Sequence, residues 1–157
     1  MSVANGKHEE ITGVFWYKNN EIHREDGPAI ERMNGTKEWW QHNLLHREDG
    51  PAIEWLNGTK YWYQFGKLHR EDGPAIVGKA GEQQWFYKGF RHREDGPAVQ
   101  GLKGYKEWWV NGQLHREDGP AIEYPGGYKA WYIKNKQMTE EEFNQHVNSF
   151  RISKNKM

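Results

Sequence analysis

The residues best suited to chemistry in this chain are a histidine, an arginine and two acids in the string HREDGPAI, residues 23–30. The string returns at 46–53, 69–76 and 115–122, and it reads HREDGPAV at 92–99. Histidine beside carboxylates is typical of acid–base catalysis and of metal sites. A catalytic site is needed once, whereas a structural joint is needed in every repeat. Five copies therefore indicate a joint.

The spacing of the copies also disfavours chemistry. Identical residues one repeat apart lie two strands apart in a sheet, about 9.6 Å, whereas zinc holds its ligand atoms at about 2.0–2.1 Å. No serine or cysteine accompanies the histidines as a nucleophile. We predict that the chain is not an enzyme, with no catalytic residue, no metal site and no cofactor. Because a histidine titrates near about pH 6.5, a pH response of the five copies stays open.

As a joint, the string has assignable roles. Gly27 tolerates positive φ and Pro28 lacks a backbone donor, which predicts a bulge with one inserted residue. Asp26 is expected to cap the turn, and Arg24 to reach an acid of the neighbouring repeat, which would make a charge ladder. The predicted structural residues are His23, Arg24, Asp26, His46, Arg47, Asp49, His69, Arg70, Asp72, His92, Arg93, Asp95, His115, Arg116 and Asp118.

Other columns share the 23-residue period of the histidines. Three residues after an aromatic pair comes a position held only by Asn or Gly, which predicts a tight turn. Asn34-Gly35 predicts a two-residue hairpin loop, joining a strand at Pro28–Met33 to one at Thr36–Gln41 and setting Ile30 opposite Trp39. An unbroken aromatic ladder is expected from Trp16, Trp39, Trp62, Trp85, Trp108 and Trp131.

The predicted fold is all-β: a single-layer antiparallel β-meander solenoid of 23-residue hairpin repeats. The stretch EWWVNGQLHREDGPAIEYPGGYKAWY (107–132) resembles a MORN-type repeat, and the resemblance covers residues 11–137, about five full repeats plus a partial first one. It implies a curved β-sheet used for protein binding, scaffolding or self-association. His-Arg-Glu-Asp-Gly replaces the usual His-Gly-x-Gly, which places the chain nearer the variant branch of bacterial and phage proteins.

The two ends differ from the repeats. Residues 1–10 are interpreted as an N-terminal leader, and Ile11–Tyr17 as a lone strand that leaves the N-terminal edge open for homo-oligomerisation. Thr139 and Glu142 form a capping box, and Phe143, Val147 and Phe150 follow at helical spacing. Residues 138–157 are therefore expected to form a capping helix from about Glu140 to Phe150, as a structural lid or a partner helix, and a loose basic tail.

The composition limits the classes of partner that the chain is expected to bind. Lys plus Arg and Asp plus Glu number 22 each, so a basic stripe for nucleic acid is not indicated, and the lysine column at 37, 60, 106 and 129 is interrupted at Gln83. The chain has no cysteine, no apolar run of membrane-spanning length and no signal-peptide pattern. A cytoplasmic protein without a membrane span is expected.

Deviations from the repeat are the candidate sites for a specific partner. Val77, Gln83 and Arg91 depart from the Glu, Lys and Ile or Leu of the other copies, and Trp55 and Tyr124 place aromatics where Arg or Gly stands elsewhere. Drift at tolerant positions is the alternative explanation. The predicted function is a non-catalytic protein-binding module: an adaptor, an inhibitor or a self-associating scaffold. The alternative is a protein of a phage or bacterial conflict system that binds or sequesters a nucleotide or other small ligand.

Overall fold

The computed structural model describes residues 4–154 and the side chains of residues 4–149. The described residues divide into two compact units after Gly89. Each unit is an antiparallel meander of short hairpins, and the described chain has one α-helix, at its C-terminal end. The predicted all-β hairpin fold with a C-terminal helix is confirmed.

The first unit contains fourteen short strands, most of them two residues long, because the hairpins after the first are interrupted after two or three paired residues. Its strands are β1 (Gly6–Glu10), β2 (Gly13–Lys18), β3 (Glu21–Ile22), β4 (Ile30–Arg32), β5 (Lys37–Glu38), β6 (Trp40–Gln41), β7 (Leu44–Leu45), β8 (Ile53–Glu54), β9 (Lys60–Tyr61), β10 (Tyr63–Gln64), β11 (Lys67–Leu68), β12 (Ile76–Val77), β13 (Gln83–Gln84) and β14 (Phe86–Tyr87).

The second unit repeats the pattern and adds the helix. It comprises β15 (Phe90–Arg91), β16 (Val99–Gln100), a short 3₁₀ turn (Leu102–Gly104), β17 (Lys106–Glu107), β18 (Trp109–Val110), β19 (Gln113–Leu114), β20 (Ile122–Glu123), β21 (Lys129–Ile133), β22 (Lys136–Met138) and α1 (Glu140–Lys154). Each repeat therefore contributes two hairpins rather than one. No helix among residues 4–154 is long and apolar enough to cross a membrane.

The first hairpin of each repeat ends in a three-residue loop, which we call the tip loop. In the first of them, Arg32 donates its N–H to the carbonyl of Thr36 at 2.9 Å, and Gly35 donates to the carbonyl of Arg32. Gly35 has φ +80°, as a type I turn followed by a left-handed residue requires. The two-residue loop predicted for Asn34-Gly35 is therefore wrong. Ile30 lies opposite Glu38, not Trp39.

The second hairpin of each repeat ends in the predicted Asn/Gly turn. Both central residues of these turns have positive φ, for example 50° at His42 and 59° at Asn43. Two successive positive φ values define a type I′ turn, whose twist matches that of the flanking strands. The prediction of a tight turn at the Asn/Gly column is confirmed.

The HREDGPA string forms a loop that leaves and rejoins the sheet at one tryptophan. Trp39 accepts the N–H of His46 at 3.0 Å and donates its own N–H to the carbonyl of Ala52 at 2.8 Å. Residues 47–51 therefore form a five-residue loop between His46 and Ala52, both of which are hydrogen-bonded to Trp39. Trp62 and Trp108 make the same pair of bonds. The predicted bulge with one inserted residue is wrong, since five residues leave the ladder.

The core is narrow and consists mostly of small side chains. The alanine that follows proline in each HREDGPA string is fully buried, at 0% exposure in all five copies: Ala29, Ala52, Ala75, Ala98 and Ala121. The six tryptophans of the ladder are only half-buried. The buried core is therefore built mainly from alanines, while the tryptophan rings stay partly exposed.

Both ends of the described chain carry an additional element. Residues 6–10, which were assigned to a leader, form β1 and pair with β2, so the predicted lone first strand is wrong. At the other end, the capping box forms: Thr139 donates its N–H to Glu142 at 2.8 Å, and Glu142 donates to the Thr139 hydroxyl at 3.2 Å. Phe143 of α1 is buried at 4% exposure, and the helix packs on β21 and β22. Residues 155–157 of the predicted tail lie outside the described residues.

Candidate functional site

In four HREDGPA loops the arginine lies on the tryptophan from which its loop departs. The guanidinium carbons of Arg24, Arg47, Arg70 and Arg116 are 3.8–4.2 Å from the ring centres of Trp16, Trp39, Trp62 and Trp108. The loop glycine supports this stack, because a Cβ on Gly50 would lie 2.9 Å from Cζ of Arg47. A cation over an aromatic ring is attracted by the ring quadrupole. One guanidinium thus holds the loop against its tryptophan.

The same arginine closes the loop by hydrogen bonds. In all five copies its Nε donates to the aspartate two residues later at 2.6–2.8 Å, and its Nη1 donates to the proline carbonyl at 3.1–3.4 Å. Arg47 and Arg116 also donate to Glu54 and Glu123 of the same repeat. The predicted ladder of arginines pairing with acids of neighbouring repeats is wrong, because the side chain folds back onto its own loop.

The aspartates respond electrostatically to this contact. The hydrogen bond from the arginine, followed by its charge, holds the pKa of Asp26, Asp49, Asp72 and Asp95 below the usual range of an aspartate. The glutamate before each aspartate is exposed: the side chain of Glu48, for example, is 81% exposed. The aspartate therefore stabilises its loop mainly by accepting a hydrogen bond from arginine, whereas it was predicted to cap the turn itself.

Each histidine of the motif connects one repeat to the next. Its Nδ1 accepts the backbone N–H of the first residue of the following type I′ turn, nineteen positions on, at 3.1–3.3 Å in all five copies. In the neutral ring the proton therefore lies on Nε2, which faces the glutamate of its own motif at 3.1–3.8 Å. His23, His46 and His69 are buried at 5–6% exposure. These contacts make each histidine an acceptor for a turn N–H.

Grooves lie between successive HREDGPA loops within each unit. One of about 410 Å³ is lined by residues 47–50, Trp62, Gln64 and residues 69–72, and one of about 650 Å³ by residues 93–97, Trp108, Val110 and residues 115–118. Each groove carries four carboxylates against two guanidiniums. Among residues 4–154 no group of three or more His, Asp or Glu side chains is arranged to hold a metal ion.

Trp55 and Tyr124 occupy the same position in their hairpins, directly before the tip loop. They are 45% and 49% exposed. Tyr124 belongs to a cluster of three tyrosines: its ring centre is 4.7 Å from that of Tyr105 and 5.6 Å from that of Tyr128. Both predicted anchors thus lie at the tip end of the sheet, each in its own unit.

The other predicted residues lie elsewhere. Val77 and Gln83 are cross-strand partners at the position that pairs Glu31 with Lys37 and Glu54 with Lys60. Both charges of the pair are therefore replaced together. Arg91 is half-buried, with its guanidinium 5.4 Å from the ring centre of Trp109. Within the first unit, Val77 pairs with Lys60, which pairs with Glu54, the residue before Trp55.

Several exposed apolar residues were missed by the sequence reasoning. Met33 and Leu56, the first residues of their tip loops, are both 80% exposed. Leu102, at the same position of its loop, is 50% exposed, and Tyr128 is 57% exposed. For Met33, Leu56 and Leu102 the signal was their shared column, which also contains Lys79 and Pro125 and in which large apolar residues stand in a loop where polar residues are the norm.

No protein-family model matches the chain, and no curated protein matches it. The resemblance to MORN-type repeats therefore stays a prediction that rests on the quoted residues. Function has to be inferred from the surfaces themselves.

Proposed function

We propose that the chain is a non-catalytic protein-binding repeat module, and that it binds its partner through the tip loops. The observation that carries the proposal is the exposure of large apolar side chains at these loops: Met33, Trp55 and Leu56 in the first unit, which we call the unit-1 tip surface, and Leu102, Tyr124 and Tyr128 in the second, the unit-2 tip surface. Tryptophan and tyrosine dominate the binding energy of protein interfaces.

The backbone of the tip loops supports this assignment. All five loops are closed by the same bond, at 2.8–2.9 Å, from the residue before the loop to the residue after it. The first loop residue takes no part in that bond, so Met, Leu, Lys, Leu and Pro occupy the position in turn. A shared closing bond with a variable side chain at the first loop position suits recognition. Binding through the tip loops would suit an adaptor, an inhibitor or a scaffold. We further propose that the chain is a MORN-like protein of a bacterium or phage and that it is cytoplasmic.

Binding of a nucleotide is less well supported. The grooves between the HREDGPA loops would be its site, yet they carry more carboxylates than guanidiniums, and this charge repels phosphate. The tryptophan faces that a base would stack on are held by arginine in the first unit at Trp39 and Trp62. Protein binding at the tip loops is therefore the function we propose.

The proposal is tested by capture experiments with matched variants of the whole chain. Immobilised wild type and the W55A/L56S variant are exposed to lysate of the source cells, with K79S as the control because Lys79 holds the same loop position as Leu56. We expect a defined protein to be retained by wild type and K79S, and its retention to fall about tenfold with W55A/L56S. Equal retention by all three, or none above an empty support, would refute the proposal.

A further inference from the structure

The cross-strand pairs of the first unit define a single row of side chains next to the tip loops. Val14 lies opposite Glu31, Glu31 opposite Lys37, Lys37 opposite Glu54, Glu54 opposite Lys60, and Lys60 opposite Val77. Directly paired residues in a ladder project to the same face of a sheet. The central six residues therefore read valine, acid, base, acid, base, valine, over about 24 Å. Glu9 and Gln83 extend the row by one strand at each end.

The lysines of this row are available to an external partner. Lys37 and Lys60 are exposed, and neither forms an ion pair with any residue in the described part of the chain, although each lies between acidic or apolar neighbours. The side chains of Glu31 and Glu54 remain 43% and 36% exposed while Arg24 and Arg47 approach them. Both signs of charge thus reach the surface.

The order of the row is self-complementary. A two-fold axis parallel to the strands, placed between Lys37 and Glu54, sets Glu31 opposite Lys60 of the second copy and Lys37 opposite Glu54. The same operation sets Val14 opposite Val77. We propose that this row, which we call the unit-1 charge row, is the interface of a symmetric dimer of this chain. The inference deepens the proposed function, since it names a second copy as one of the proteins bound.

The tip loops obey the same symmetry. Met33 connects the strands of Glu31 and Lys37, and Leu56 connects those of Glu54 and Lys60, so the two-fold axis exchanges them. Both are 80% exposed, and their contact supplies the apolar burial that charges do not. Complementary charges mainly set register and orientation, because exposed ion pairs contribute only about 0–1 kcal/mol each. At the far end of the sheet the acidic HREDGPA loops of two copies would repel, so the contact is confined to the tip end.

The second unit lacks this order. Its corresponding row is Gln100, Lys106, Glu123 and Lys129. An axis between Lys106 and Glu123 pairs those two correctly but sets Gln100 opposite Lys129, and the row carries a net positive charge. The first residues of its two tip loops, Leu102 and Pro125, also differ more in shape than Met33 and Leu56 do. The complementarity is therefore a property of the first unit.

The test is sedimentation equilibrium of the purified whole chain. We expect wild type to dimerise, K37E/K60E to weaken dimerisation at least tenfold, and the matched unit-2 variant K106E/K129E to leave it within about twofold. Circular dichroism checks that each variant keeps its β structure. A wild type that stays monomeric at about 100 µM, or equal weakening by both pairs of substitutions, would overturn the proposal.

A charge swap removes the remaining ambiguity. The variant E31K/K37E/E54K/K60E inverts every sign among the central six residues of the row but also removes the bond from Arg47 to Glu54. Once circular dichroism shows that it is folded, it should dimerise with itself as wild type does. It should not form mixed dimers with wild type, because each acid would then meet an acid. Free mixing of the two chains would overturn the proposal even if K37E/K60E failed to fold. Since these measurements use the purified chain alone, their failure leaves capture of a different protein by the tip loops untouched.

Discussion

The two loops of each repeat are stabilised in opposite ways. The HREDGPA loop is held by side chains: arginine on tryptophan, arginine to aspartate, and histidine to the next turn. The tip loop is closed in every copy by the same backbone bond and ends in a left-handed glycine. Its side-chain bonds come from the second loop residue, Asn34 or Asn57, or from Glu82 after the loop, and the side chain of the first loop residue makes none of them. A loop that depends on side chains cannot change them, and this accounts for five nearly identical copies. A loop closed by a backbone bond leaves the side chain of its first residue free for recognition.

The largest loss of stability is expected when the arginine of an HREDGPA loop is removed. Arg47→Ala loses the stack on Trp39 and the bonds to Asp49, the Pro51 carbonyl and Glu54. We expect the free energy of unfolding to fall by about 2–3 kcal/mol, measured by urea denaturation. Arg47→Lys should recover less than half of the loss, because an ammonium cannot reproduce the planar fork. A loss below about 0.5 kcal/mol would mean that the loop is held by its backbone after all.

A smaller effect is expected at the glycine beneath the arginine. A Cβ at Gly50 would approach Cζ of Arg47 to 2.9 Å, whereas a Cβ at Gly126 in a tip loop would meet nothing within 4 Å. Gly126 also has no positive φ. Gly50→Ala should therefore destabilise by about 1 kcal/mol, and Gly126→Ala should change stability by less than about 0.5 kcal/mol. Thermal unfolding of the two variants side by side measures the difference, and equal melting temperatures would contradict it.

Acid should weaken the HREDGPA loops specifically. Asp26, Asp49, Asp72 and Asp95 have a folded-state pKa below their unfolded value because of arginine. Their contribution to stability is therefore complete above about pH 4, the ordinary aspartate pKa, and is lost as the pH falls through the lowered values. Melting temperatures of wild type and of D26N/D49N/D72N/D95N should converge between about pH 4 and pH 2. Parallel curves over that range would exclude this linkage.

The repeat made much of this fold predictable, and the failures have physical causes. The tight turns were foreseen because only Asn and Gly stand at their second central position. Their type I′ form was not foreseen, since the first central position also has positive φ at residues such as Phe65 and Lys88. The register of the tip hairpins was not, although the column before the glycine contains Ala80, a residue type that disfavours positive φ. Ala80 does avoid positive φ, as a three-residue loop with one left-handed glycine allows, whereas Lys103 in the fourth loop has φ +57°. Strand β1 (GKHEE) escaped detection because it lacks an apolar alternation.

The candidate site was only half predictable for a related reason. Trp55 and Tyr124 were found because they break a repeat column, and the structure places both at the tip end. Met33 and Leu56 depend on loop length for their exposure, and the wrong loop length hid them. The direction of Arg47 was likewise unpredictable, since acids of its own loop and of the next repeat are both within reach of an arginine.

The smallest effect on stability should accompany the largest effect on recognition. Leu56 is 80% exposed and takes no part in the bond that closes its loop, so Leu56→Ser should leave the free energy of unfolding within about 0.5 kcal/mol of wild type. Dimerisation should nevertheless weaken, because the two-fold axis places Leu56 against Met33 of the second copy. Lys79→Ser, at the same loop position, should change neither quantity. If Leu56→Ser lowered stability as much as Gly50→Ala, the tip loop would depend on its side chains, and variability at this position would no longer indicate a binding surface.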